Sequence, residues 1–139
     1  MAARPWRDVR WGDARVIADV VYATFMFEAL KRVVSLPRLV RGATAVRVRP
    51  RPTDPARVAR VVRAVLRRVY RHDYCLPQSL ALYRALVRSG LTPQLQMGVR
   101  MGGEDLEGHA WVVLDGSPLP DVTDPSAFSS TFVYPLQPS

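Results

Sequence analysis

The sequence predicts an α+β fold, with helices first and a small antiparallel sheet after them. Three observations carry that reading. Up to Gly90 the apolar residues recur at helical spacing. Beyond Gly90 the period drops to two. Asp115-Gly116 then supplies a hairpin signal in the second half. The single cysteine, Cys75, stands at the join between the two halves.

The 139 residues form one expected domain, with a helical region and linker over 1–52 and the core over 53–139. Hydrophobic residues make up 48% and charged residues 23%, which argues against disorder. One cysteine excludes an internal disulfide framework and a multi-cysteine zinc site, and suits a reducing cytoplasm. No signal-type segment opens the chain. The apolar stretch from Val16 to Leu30 is interrupted by Asp19 and Glu28, and falls short of the roughly 20 residues of a membrane span. A soluble cytoplasmic protein without a membrane partner is expected. The net charge of +8 is almost wholly arginine, since Lys31 is the sole lysine. Such charge reads either as a solvated face or as a match for an acidic partner.

Residues 1–12, with Trp6 and Trp11 among arginines, read as a loose arm. Asp13 is placed to cap a helix running to about Leu36, where Pro37 follows. Pro37 to Pro52 reads as an irregular surface linker. Asp54-Pro55 opens a second helix, capping residue first and proline in the first turn. Val58, Val61, Val62, Val65, Leu66 and Val69 form its apolar stripe; Arg57, Arg60, Arg63, Arg67, Arg68 and Arg71 take its other side, which reads first as a solvated face and second as a peptide-docking one. A third helix begins at Cys75 and ends at Gly90, with Leu76, Leu80, Tyr83, Leu86 and Val87 inward. Leu95 to Met101 alternates as a strand, Gly102 to Asp105 is a turn, and 109–114 and 119–123 are two further strands. The tail from Asp124 reads as irregular.

A thiol nucleophile needs a positive field to hold the thiolate and a base to take its proton. At a helix start, Cys75 meets unpaired first-turn amides and the positive end of the dipole. His109, opening a strand, is the candidate base. Asp121 is the candidate orienting carboxylate, and shares a face with His109 only if the loop at Asp115-Gly116 carries an odd residue. Asp115 and Asp124 already have turn roles, and His72 is the local alternative base. Gln78 and Ser79 in the first turn, and Trp111 by parity with His109, are candidate substrate contacts. No spacing of ligands points to a metal, and no phosphate loop appears, so no cofactor is expected.

Cys75-Leu-Pro-Gln-Ser-Leu-Ala-Leu-Tyr83, Leu86 to Gly90, Gly98-Val99 and His109-Ala-Trp-Val112 together resemble the leader peptidases of lasso peptide biosynthesis. These are transglutaminase-like cysteine proteases, and the resemblance covers about residues 60–125. It implies a transglutaminase-like, papain-like core with Cys75 as nucleophile, His109 as base, and Asp121, twelve residues further on, as the third member of the triad. It implies cleavage of a leader from a ribosomally made precursor peptide. It also implies a separate leader-recognition protein, since the chain is too short to hold that module, and an ATP-dependent cyclase acting on the freed amine. No nucleic-acid partner is implied. Val113 departs from the family, which often carries an acidic residue there. Two other readings stand beside this one: an acyl transferase or amidase with the same triad, and a non-catalytic basic binding module.

Overall fold

In the computed structural model the described residues are 13–45, 47–71, 75–119 and 124–135. They form four helices followed by a four-stranded antiparallel sheet, the predicted α+β order. The helices are α1 (Ala14–Leu30), α2 (Leu36–Thr44), α3 (Pro55–Val69) and α4 (Cys75–Arg88). The strands are β1 (Gln94–Gly102), β2 (Asp105–Leu114), β3 (Ser117–Pro118) and β4 (Ser129–Tyr134), with a 3-10 turn at Pro125–Ala127. Sheet order is β3-β2-β1-β4.

The helix expected from Asp13 to Leu36 is two helices. α1 stops at Leu30, and α2 starts one residue before Pro37. Proline lacks only an N–H that the first turn leaves unpaired, so here it opens a helix instead of ending one. The expected linker from Pro37 to Pro52 is therefore helical over its first half. Its second half is tied down: Arg49 N–H donates to the Arg88 carbonyl at 2.7 Å and Arg51 N–H to that of Ser89 at 3.3 Å. Asp13 precedes α1 but makes no side-chain cap. Its carboxylate instead accepts from Arg57 of α3, Nη2 to Oδ2 at 2.8 Å. At the other end, the Tyr70 hydroxyl donates to Glu28 Oε1 at 2.6 Å, beside the Lys31–Glu28 ion pair. The Lys31 ammonium first, then the Tyr70 hydroxyl, hold the Glu28 carboxyl below its usual range. α1 and α3 thus run side by side in the same direction.

α3 formed as its sequence dictates. The Asp54 carboxylate accepts from Ala56 N–H at 3.1 Å, Pro55 fills the first turn, and the valine stripe faces inward. α4 is the centre of the molecule. It touches the three other helices and both long strands, and from Pro77 to Leu86 nearly every side chain is buried. Small residues (Ser79, Ala81, Ala85) interspersed with Leu80, Leu82 and Leu86 let neighbours close on it from all sides. Its end follows the glycine-capped pattern: Leu91 N–H reaches the Leu86 carbonyl and Gly90 N–H that of Val87, with Gly90 at φ +90°.

β1 and β2 pair in unbroken register from Gln94↔Val113 to Gly102↔Asp105. Opposite residues share a face, so Leu95, Met97, Ala110 and Val112 lie on one side. That side meets the helices: Leu95 and Val112 belong to the same buried cluster as Val62, Leu66, Leu80 and Leu86. β4 is a strand where the tail was expected to be irregular. It pairs with β1 and sends Phe132 and Tyr134 to the core. A third strand stands at Ser117–Pro118, ahead of the expected 119–123, and Leu119 N–H reaches the Val112 carbonyl at 2.9 Å. Residues 120–123, within the expected strand, lie outside the described residues, as does the expected arm 1–12.

Candidate active site

Cys75 opens α4 and is half-buried. A helix start leaves N–H groups without intrahelical partners, so a thiol there sits in a positive field. Behind it the chain is held hard, because Leu80, Ala81, Leu82 and Tyr83 are all buried. The two polar residues of the first turn are buried as well: Gln78 is 8% exposed and Ser79 3%. As placed, they offer a substrate little surface.

The far end of α4 can be located from its contacts. Tyr83 lies 6.0 Å from Tyr134, the partner of Leu95 in the sheet. Burial, with Tyr134 nearby, pushes the Tyr83 phenol up to about 12. Tyr83, Val87, Gly90, Leu91, Gln94 and Pro135 line one cleft of about 440 Å³. The C-terminal half of α4 therefore sits over the start of β1. Fourteen helical residues span about 20 Å, which in a strand is about six residues. Were α4 to run straight along the strands, that length would carry Cys75 from Gln94 to the level of Arg100 and its partner Glu107, two residues from His109.

Level is one requirement and face is another. His109 pairs with Gly98, so it projects from the side of the sheet opposite Leu95, Val112 and the helices. On that outer face its ring stacks on Trp111 at 6.0 Å and tilts against Phe128 at 5.2 Å. The Arg100 guanidinium lies over the Phe128 ring, 4.6 Å from its centroid, and pairs with Glu107 at 2.7 Å. Trp111 is only 5% exposed, so it packs as the centre of this outer cluster. The structure brings His109 and Trp111 together; it places Cys75 on a helix packed against the other face.

Gly98 makes the cluster possible. A Cβ there would stand 2.7 Å from the Ser129 carbonyl oxygen, 2.9 Å from Trp111 Cη2 and 3.1 Å from Phe128 Cβ. Gly98→Ala is expected to cost about 1–3 kcal/mol, measured by urea denaturation, because the Ser129 carbonyl, the Trp111 ring and the Phe128 Cβ all crowd the added methyl. A glycine in a strand interior is itself a mark of close approach. It was the available signal for Phe128, which no periodicity in the tail points to.

The hairpin geometry bears directly on the third residue. Asp115 at φ +52° and Gly116 at φ +79° make a strict two-residue turn, with Leu114↔Ser117 and Val113↔Pro118 flanking it. No odd residue enters the loop. Asp121 itself lies outside the described residues, and so does His72. Asp115 is exposed in its turn. Asp124 caps the 3-10 turn, accepting from Ser126 N–H at 2.9 Å, and these bonds hold its carboxyl below the usual range. Among the described residues no group of three or more histidine, cysteine or acidic side chains could hold a metal ion. No helix among them is long and apolar enough to cross a membrane.

Comparison with curated proteins returns no match, and neither does comparison with solved structures. A family model does match, over residues 20–133, and so takes in α4, the sheet and both members of the candidate pair. The chain belongs to the transglutaminase-like superfamily, whose members are often cysteine hydrolases and transferases.

Proposed function

We propose that this chain is a cysteine peptidase that removes the leader from a ribosomally made lasso peptide precursor. The observation that carries the reading is Cys75, the only cysteine, at the first turn of the buried helix α4 in a transglutaminase-like chain. The Cys-Leu-Pro-Gln-Ser-Leu and His-Ala-Trp-Val segments support the narrower substrate.

The chemistry runs in two halves. The Cys75 thiolate attacks the scissile carbonyl carbon, and first-turn amides, including that of Cys75, receive the developing oxyanion. The C–N bond breaks as protonated His109 gives its proton to the leaving nitrogen, which departs as the core peptide's free amine. His109 then takes a proton from water, the hydroxide attacks the thioester, and the leader leaves with a new carboxylate while the thiol is restored. Asp121 would orient the imidazole and stabilise its charged form, which requires the chain beyond Leu119 to bring its carboxylate round to the face of His109, since the two-residue turn supplies no odd residue. A partner cyclase would join the freed amine to an acidic side chain, and a separate recognition protein would deliver the leader.

This reading requires β2 around His109 to rearrange, so that the imidazole leaves the Trp111–Phe128 stack and reaches the face that carries α4 and the thiol. His109→Ala tests that requirement. A general base contributes about 10²–10⁴-fold, so cleavage of the precursor, followed by mass spectrometry, is expected to slow by that factor. Unchanged cleavage would remove His109 from the mechanism. The acyl-transferase reading has the same nucleophile, and product analysis separates the two. A peptidase liberates a free amine and a free carboxylate, whereas a transferase moves the acyl group to an added amine.

A further inference from the structure

Charge is divided between the two halves of the molecule. From Lys31 to Arg71 the sequence holds thirteen lysine and arginine residues and one carboxylate, Asp54. From Gln94 to Pro135 it holds one arginine, Arg100, and six carboxylates. On α3 the positive half becomes a row: Arg60, Arg63 and Arg67 at i, i+3 and i+7, with Arg71 just past the helix end. The row lies across the helix from Val58, Val62, Val65 and Leu66, which enter the core. Arg60, Arg67 and Arg71 are exposed, and Arg63 is half-buried. α3 has no acidic residue of its own, and the carboxylate of Asp54 is used on the Ala56 N–H. Like charges at three- and four-residue spacing work against a helix.

We propose that the arginine row of α3 docks a carboxylate-rich polypeptide segment of another protein. From Arg60 to Arg71 the row is about 16 Å long, the length of three turns of a partner helix carrying carboxylates at the same spacing. Guanidinium forks match carboxylates two bonds at a time, and the positive side here is arginine almost throughout. A long polyanion is the poorer fit. The sheet half carries Glu104, Asp105, Glu107, Asp115 and Asp124 exposed, so the positive surface does not extend over the whole molecule. Nor does α3 carry an aromatic side chain on which bases could stack. A short acidic segment stays within the positive half. The proposal stands apart from Cys75 and does not depend on what the chain cuts.

The test is fluorescence anisotropy with the full chain and a labelled peptide of alternating glutamate and leucine blocks. Arg60→Glu, Arg67→Glu and Arg71→Glu together are expected to weaken binding by about tenfold or more. Arg15→Glu, Arg38→Glu and Arg47→Glu remove the same charge from exposed sites off the row, and are expected to change it by about twofold at most. Cys75→Ala is expected to bind like the parent, which separates failure of docking from failure of catalysis. Should the reversed triple not fold by circular dichroism, the three arginine-to-glutamine changes on the row carry the same expectation with a smaller loss. Equal weakening by both triples would reduce the effect to bulk charge and overturn the proposal. So would tighter binding of a single-stranded DNA of equal charge, or self-association that the row reversal abolishes and the peptide does not displace.

Discussion

Cys75→Ala is expected to abolish precursor cleavage, with a fall in rate on the order of 10⁴-fold or more, while the protein stays folded. Both parts of the expectation come from position. The thiol begins α4, where nothing but a nucleophile can open the acyl half-reaction, and where the side chain is only half-buried. Its removal leaves the buried run from Pro77 to Leu86 intact, so thermal unfolding should change little. Mass spectrometry of the precursor mixture reads the first part and a melting curve the second. Full cleavage by the alanine protein would end the peptidase reading. Loss of cleavage together with loss of the fold would leave Cys75 a packing residue.

Asp19→Ala is expected to destabilise the fold by about 3–5 kcal/mol, the largest stability effect of any single polar residue described. Asp19 is 2% exposed. Its Oδ1 accepts from Arg84 Nε at 3.1 Å and from Arg88 Nη1 at 2.8 Å, which fastens α1 to the central helix. Arg84 is itself well covered, its side chain 12% exposed and its guanidinium 4.1 Å above the Tyr22 ring. Removing the carboxylate takes from that covered cation the counter-charge that Asp19 supplies. The double change Asp19→Leu with Arg84→Met is expected to recover most of the loss, because it removes the pair instead of breaking it. Urea titration of the three proteins distinguishes the cases. Equal losses in the single and the double variant would mean that shape, not charge, governs the site.

Asp19 also illustrates where the sequence stops being legible. In the linear chain it is an interruption in an apolar helix, useful only for arguing against a membrane span. Its partners lie on α4, more than sixty residues away, and nothing local announces them. β4 is a parallel case. Ser129 to Tyr134 reads as an irregular tail because its partner strand, β1, begins at Gln94, and pairing across that distance is a matter of register and not of propensity. Pro37 was ambiguous for a different reason. Proline both ends helices and begins them, and only the packing of α2 against α1 and α4 decides which.

Where structure is set within a turn or two of the chain, the sequence was enough. Asp54-Pro55 and the valine spacing define α3 entirely, and Gly90 ends α4 in a left-handed conformation. The period-two run produces β1, the Gly103-Glu104 turn returns it as β2, and Cys75 falls at the start of α4. Capping, turn chemistry and periodicity act over a few residues, so these elements, the α+β order and the place of the cysteine could be derived before any coordinates. Parity along β2 likewise tied Trp111 to His109. Whether those two face the helices or the opposite side of the sheet could not be derived in that way. It depends on Gly98 lying opposite His109, on Leu95 and Val112 meeting the core, and on Phe128 closing over the other side. Side-chain alternation is a local property of a strand; the side that is covered is chosen by the packing of the whole chain.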